Sequence, residues 1–262
     1  MISYDVLTVV RDPRFPLGKQ FTIDAGGKIV KTTAVAVSIG LAVQHHVADI
    51  ATLQALLSMV SEDSHAAIIN AAFPRVPLDT EFLIFSEKEF MIRGIDRHDS
   101  SVSWPVTLPY RDAEYLALGR FTEHTAPSSW LLLDRDVDEH TPKHYASLDY
   151  EAWLAEVNKL LPGIADCARL HARSSSSRVS VGGAPVGGGN GHTWVQLVDA
   201  GDAERLRRVV KARAIALGMS WTKPRISRDT GEEVGRDVAT IIDWSVFTHG
   251  RLIFAGRPVV QP

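Results

Sequence analysis

Apolar and polar positions along this chain switch between two periods. Tyr4–Val10 is a largely apolar run. Gln20–Ile23 and Lys28–Val37 place β-branched arms on either side of Ala25-Gly26-Gly27, which predicts a hairpin. From Asp49 to Val60 the spacing becomes helical, with Asp49 at the N-cap. Ala66–Asn70 and Phe82–Phe85 predict buried strands. The stretch Arg97–Tyr110, with its serines, Pro105 and Pro109, predicts a connecting loop or an edge segment. A boundary there divides the chain into an N-terminal α/β subdomain, residues 1–110, and a second subdomain, residues 111–262.

The second half has a more regular rhythm. Trp130–Leu133 predicts a short buried strand running into Asp134. Tyr150–Leu161 is amphipathic and stops at Pro162-Gly163. Ala172–Ser177 predicts a further strand, and 178–191 a mobile Gly/Ser-rich loop. His192–Val198 alternates as a strand. Ala203–Leu217 predicts a helix with Arg205, Arg208 and Lys211 on one face, closed by Gly218 at C′. Val238–Ile242 predicts a strand ending in Asp243, and Leu252–Phe254 one more. The order β-α-β-β-α-β is that of a ferredoxin-like, split β-α-β sheet, so the fold class expected is α+β.

Composition narrows the function classes. Of 262 residues, 45% are apolar and 23% charged, which excludes collagen-like, coiled-coil and wholly disordered chains. Cys167 is the only cysteine, so neither a disulfide scaffold nor a Cys-based zinc module is possible, and its apolar neighbours predict a buried, inert thiol. There is no signal-peptide pattern and no apolar stretch of membrane-spanning length, so a cytoplasmic protein with no membrane partner is expected. The net charge of −3 is unevenly spread. Residues 61–170 hold ten Lys and Arg against nineteen Asp and Glu, whereas residues 171–262 hold thirteen against eight. An acidic middle precedes a basic end.

The acidic middle contains the sharpest local feature, Leu131-Leu132-Leu133-Asp134-Arg135-Asp136. On a strand, Asp134 and Asp136 point the same way. Two like charges side by side repel unless a cation lies between them, and hard divalent ions take carboxylate oxygens. The alternative is a pair of loop aspartates just past a strand end. Ile241-Ile242-Asp243 delivers a third carboxylate in the same manner. Three converging carboxylates would hold two Mg²⁺ or Mn²⁺ ions, and such a pair clamps both oxygens of a phosphoryl transfer. Ser174–Ser177, Arg178 and the glycines that follow are natural phosphate cradles, and His192 opens a strand of the same sheet. His140 and His144 have zinc-compatible spacing, but Pro142 lies between them and favours a surface loop.

These motifs, in this order, resemble those of the archaeo-eukaryotic primase superfamily. The three are Asp134-Arg135-Asp136, then Ser176 and Ser177 with His192, then Ile242-Asp243. The run Ile242–Phe247 through Arg251–Phe254 is similar to the last motif of primase-polymerases from plasmids and other mobile elements. The resemblance implies an RRM-like catalytic unit packed on an N-terminal α/β unit, with the active site in the cleft between. It implies template-directed nucleotidyl transfer on single-stranded DNA from an NTP or dNTP. Asp134, Asp136 and Asp243 would then be catalytic and hold two Mg²⁺ or Mn²⁺ ions. His192, Ser176, Ser177, Arg178 and Arg251 would bind the nucleotide, and Lys223, Arg225, Arg228 and Arg236 the DNA. Ser177 and His192 are fifteen residues apart, wider than the family's usual spacing, so the loop between them must bulge. A replicative helicase, or a helical domain C-terminal to this chain, is the implied protein partner. Two other classes use parts of the same pattern. A non-catalytic replication initiator or single-strand-binding module would need exposed aromatics on the sheet face. A metal-dependent nuclease or phosphohydrolase would use the same carboxylates.

Overall fold

The computed structural model describes residues 5–17, 19–23, 29–32, 37–175, 178–181, 184–185, 191–227 and 230–261. The first part of the chain contains β1 (Val6–Arg11), β2 (Gln20–Ile23), β3 (Ile29–Thr32), β4 (Ile39–His46), α1 (Ile50–Ser61), β5 (Ala66–Ile69), β6 (Glu81–Phe85), α2 (Glu87–Ile92), β7 (Val106–Tyr110) and β8 (Ala113–Gly119). The second contains β9 (Trp130–Asp134), α3 (Lys143–Ala146), α4 (Tyr150–Leu160), β10 (Arg169–Arg173), the short pair β11 (Ser180–Val181) and β12 (Ala184–Pro185), β13 (Gly191–Gln196), α5 (Asp202–Ala216), β14 (Ser220–Ile226), β15 (Glu233–Thr240), β16 (Leu252–Ile253) and β17 (Val259–Gln261). The fold is mixed α and β, as expected.

Among the described residues, the largest sheet has seven strands in the order β16-β5-β1-β4-β6-β8-β7, with β6 and β8 parallel. A three-stranded sheet has the order β10-β13-β9. Its middle strand is antiparallel to both neighbours, so β9-α4-β10 is a β-α-β unit with β13 inserted between its strands. β14 and β15 form a separate hairpin, and β17 joins β2 and β3.

Local chemistry explains the main helices. The Asp49 carboxylate accepts the Thr52 N–H at 2.8 Å, and the Thr52 hydroxyl accepts the Asp49 N–H at 3.2 Å, a reciprocal cap that starts α1. Asp149 accepts the Ala152 N–H at 2.8 Å and starts α4. Gly163 (φ 90°) and Gly218 (φ 66°) take left-handed conformations just past α4 and α5.

The strand β9 is buried on both faces. Leu131 and Leu133, with Val195 of β13, pack against Trp153, Leu154 and Val157 of α4 and Val210 and Ala214 of α5. Trp130, Leu132 and Trp194 pack the opposite way, against Leu7, Val9, Leu53 and Leu57 of the large sheet and α1. Two buried indoles pin this sandwich. Trp130 Nε1 donates to the Val47 carbonyl at 2.8 Å, and Trp153 Nε1 donates to the Ile241 carbonyl at 2.8 Å.

Several expectations need correcting. The boundary near residue 110 falls at the turn between β7 and β8, which pair with each other, so the first sheet continues to Gly119. Leu252–Ile253 forms its strand in that first sheet, against β5, because Ile253 fills the core beneath α1. The strand expected at Ala172–Ser177 lies earlier, at Arg169–Arg173, and Ser174 and Ser175 follow it buried. The strand before Asp243 ends at Thr240 and, among the described residues, pairs only with β14, so the fourth strand of the expected split β-α-β sheet does not join β9. The Thr240 hydroxyl donates to the Ile242 carbonyl at 2.7 Å and accepts the Ile242 N–H, which turns the chain out of the ladder. Cys167 is exposed, because it follows a 3₁₀ turn at Ile164–Asp166 that carries the chain to the surface. The turn Ala25-Gly26-Gly27 lies outside the described residues, while the arms flanking it pair antiparallel.

Burial also sets an acid limit on stability. His124 is 3% exposed, and its Nδ1 accepts the Gly119 N–H at 3.1 Å, so it is packed as a neutral ring. Burial pushes its pKa below the usual histidine value. The unfolded chain therefore binds a proton that the folded chain excludes, and stability falls as pH drops below about 6.5. Urea midpoints measured between neutral pH and mildly acid pH should decline. The decline should be shallower in His124→Gln, which keeps an acceptor without the titrating ring.

Candidate functional site

The site forms where β9 leaves the sandwich. In the β9–β13 ladder, Asp134 is directly opposite His192. The Asp243 N–H donates to the Asp134 carbonyl at 2.9 Å, which ties the chain after β15 to the end of β9. Asp134, Asp136, Asp243, His192 and Arg251 all line one cavity of about 240 Å³. The structure brings these five residues, named from the sequence, to the wall of one cavity. Asp134 is half-buried and Asp136 exposed, so the pair spans the inner wall and the mouth.

Each side chain is oriented by its own neighbours. Asp243 caps a 3₁₀ turn at Trp244–Phe247, accepting the Ser245 N–H at 2.8 Å and the Ser245 hydroxyl at 2.9 Å. His192 Nε2 lies 3.8 Å from Asp134 Oδ1, at the outer limit of an ion pair. Burial, and then the charges of Lys19, His171 and Arg178, push the His192 pKa down to about 3, so the ring is neutral at physiological pH despite the carboxylate beside it. Gly191 leaves room for this arrangement. A β-carbon there would collide with the His171 imidazole, 2.7 Å from its Nε2, and lie 3.0 Å from the Ala172 carbonyl oxygen.

Two contributors, Lys19 and Arg120, carry no motif, and a third, Ser245, lies within the Ile242–Phe247 run. Lys19, just before β2, lines the cavity, and its backbone N–H donates to the Ser175 hydroxyl at 3.4 Å. Ser245 also lines the cavity while it holds Asp243. Arg120 lies behind Arg251, its pKa lowered by burial and by the Arg251 charge, and it donates to the Gly250 carbonyl at 3.1 Å. Lys19 and Arg120 come from the first part of the chain, with no local pattern linking them to Asp134.

Other expected residues fall elsewhere. Ser176, Ser177 and Arg228 lie outside the described residues. Arg178 donates to the Ser61 carbonyl at the end of α1 at 2.9 Å and does not line the cavity, although its charge acts on His192. Lys223 pairs with Asp138 at 3.4 Å. Arg225 and Arg236 are exposed on the β14–β15 hairpin, with Arg236 Nε donating to the Thr222 hydroxyl at 3.2 Å. On α5, Arg205 pairs with Asp202 at 2.8 Å and Arg208 with Glu204 at 3.9 Å. Among the described residues, no helix is long and apolar enough to cross a membrane.

The carboxylates supply the hard oxygen donors that Mg²⁺ and Mn²⁺ prefer. Among the described residues, no three His, Cys, Asp or Glu side chains close into a metal cage. Mg²⁺ usually takes one or two carboxylates and completes its shell with water and phosphate oxygens. Carboxylates spread along one cavity wall fit that mode of binding and do not fit a preformed all-protein site.

The packing around His192 yields a direct test. Gly191→Ala should lower stability by about 1–3 kcal/mol, the usual cost of overpacking, read as a drop in melting temperature. No protein-family model, curated protein or solved structure matches this chain.

Proposed function

We propose that this chain is the catalytic domain of a primase-polymerase of the archaeo-eukaryotic primase superfamily, acting in the replication of a plasmid or other mobile element. Its reaction is template-directed nucleotidyl transfer on single-stranded DNA, with an NTP or dNTP as donor. The observation that carries this reading is the single cavity shared by Asp134, Asp136, Asp243, His192, Arg251 and Lys19. Carboxylates suit divalent ions and the cations suit a polyphosphate, the pairing that phosphoryl-transfer chemistry uses. The order β10-β13-β9, with β13 antiparallel to both neighbours, supports the RRM-like unit that the motifs imply.

In the transfer, the 3′-oxygen of the acceptor forms a bond to the α-phosphorus. The bond from that phosphorus to the bridging oxygen breaks, pyrophosphate leaves with the electron pair, and the hydroxyl proton passes to water. Asp134, Asp136 and Asp243 would hold the divalent ions, which would supply charge neutralisation when bound. Lys19 and Arg251 offset the rest of the triphosphate charge, and the guanidinium fork can grip two oxygens at once. His192 contributes a hydrogen-bonding ring, held by the ladder, without adding charge next to Asp134. Positioning and electrostatics suffice for this class of reaction, which asks for no covalent intermediate on the protein.

Incubation with single-stranded DNA, NTPs or dNTPs, and Mn²⁺ or Mg²⁺ should give dinucleotides or longer products. The double change Asp134→Ala with Asp136→Ala should lower synthesis at least about a hundredfold, with the far-ultraviolet circular dichroism unchanged. A wild-type protein that makes no product with either metal would overturn the reading. Degradation of the oligonucleotide in its place would assign the carboxylates to a nuclease.

A further inference from the structure

The turn that delivers Arg251 to the cavity is clasped by residues far from it in sequence. The Thr125 hydroxyl lies 2.8 Å from His249 Nδ1. The Gly250 N–H donates to the Asn70 carbonyl at 3.4 Å, and the Asn70 N–H donates to the Arg251 carbonyl at 3.3 Å. Arg120 Nη1 donates to the Gly250 carbonyl at 3.1 Å. Gly250 takes a left-handed conformation (φ 80°), which glycine adopts without strain. The backbone of residues 249–251 is therefore fixed against the first part of the chain.

Arg120 differs from the other members of this clasp. It follows β8 directly and is half-buried, so its charge is partly withdrawn from water. A neutral donor would satisfy the Gly250 carbonyl equally well without that desolvation cost. Among the described residues, neither Arg120 nor Arg251 takes part in an ion pair. Burial and the Arg251 charge both push the Arg120 pKa down, so the two guanidinium groups act on each other. They stand on different sides of the cavity wall. Arg251 is exposed and lines the cavity, whereas Arg120 does not line it. Like charge behind Arg251 opposes its folding back onto the protein and leaves the cavity as the place for its guanidinium. Two cations held near each other without a carboxylate are relieved by a multiply charged anion.

We propose that Arg120 is a positioning residue for Arg251, holding the Gly250 carbonyl and keeping the Arg251 guanidinium turned into the cavity to meet a polyphosphate. That this polyphosphate belongs to an NTP or dNTP rests on the nucleotidyl-transfer reading. Arg120 itself touches no reacting atom. Its effect reaches the substrate through the turn it holds and through the charge it sets behind Arg251.

Calorimetry with inorganic tripolyphosphate in Mg²⁺ tests this without asking for synthesis. Arg120→Ala and Arg251→Ala should each weaken binding about tenfold, the usual scale for a hydrogen bond to a charged group. Because Arg120 acts through Arg251, the double variant should bind no more weakly than Arg251→Ala alone. Arg120→Lys keeps the charge and a donor, and should bind within about threefold of wild type. Arg120→Gln keeps a donor alone and should lose most of the affinity, and it replaces the alanine variant if that chain does not fold. The proposal is overturned if loss of the Arg120 charge leaves tripolyphosphate affinity unchanged, if the two single losses multiply in the double variant, or if wild type binds no tripolyphosphate. Should the expected pattern appear in a wild type that makes no product, the nucleotidyl-transfer reading falls and the arginine pair stands as a polyphosphate site.

Discussion

The double burial of β9 is the constraint from which the rest of the structure follows. A strand of five residues, Trp130 to Asp134, is covered on one face by α4 and α5 and on the other by the large sheet and α1. Its apolar side chains are each at most 1% exposed, and burying a large apolar side chain contributes about 1.5–3 kcal/mol. The strand therefore cannot slide or turn over. A shift of one residue would exchange its two faces and send Trp130 and Leu132 into the space built for Leu131 and Leu133. Only the last residue escapes the sandwich, and that residue is Asp134. The position of a carboxylate at the cleft is set by hydrophobic packing on both sides of the strand that carries it.

The electrostatics of the cleft depend on the same rigidity. His192 is held opposite Asp134 by the ladder and is neutral because burial outweighs the attraction of a carboxylate 3.8 Å away. Lys19 in the cavity wall, and His171 and Arg178 outside it, add to that effect, so the ring places no positive charge beside Asp134.

Much of this was legible in the chain because it is local. The Asp49 cap, the apolar run before Asp134 and the glycine after α5 each declare themselves within a few residues. What was not legible is what depends on distant partners. Leu252-Ile253 looks the same whether it joins the second sheet or the first, and only the space beneath α1, filled by Ile253, decides. β4 alternates in burial from Gly40 to His45, but apolar Leu41 and Val43 occupy the half-buried face and polar Gln44 the buried one, so its residues show no alternation, and β8 begins with exposed positions. Cys167 has apolar neighbours in sequence, but the 3₁₀ turn before it sends Ile164 inward and the thiol outward. Lys19 carries no motif at all, and its place in the cleft comes from the packing of β2 next to Ser175.

The third carboxylate reaches the cavity by a local route different from the one its sequence suggests. Asp243 was expected at the end of a strand, yet the ladder stops at Thr240, whose hydroxyl satisfies the Ile242 backbone and turns the chain. A strand end would have left the Asp243 side chain with rotational freedom. As the cap of a 3₁₀ turn it has both carboxylate oxygens engaged by Ser245, and its backbone N–H is spent on Asp134. The two aspartates are thus joined through main chain, not through a side-chain contact that like charges would oppose. That linkage holds the Asp243 carboxylate at the wall of the cavity that Asp134 and His192 also line.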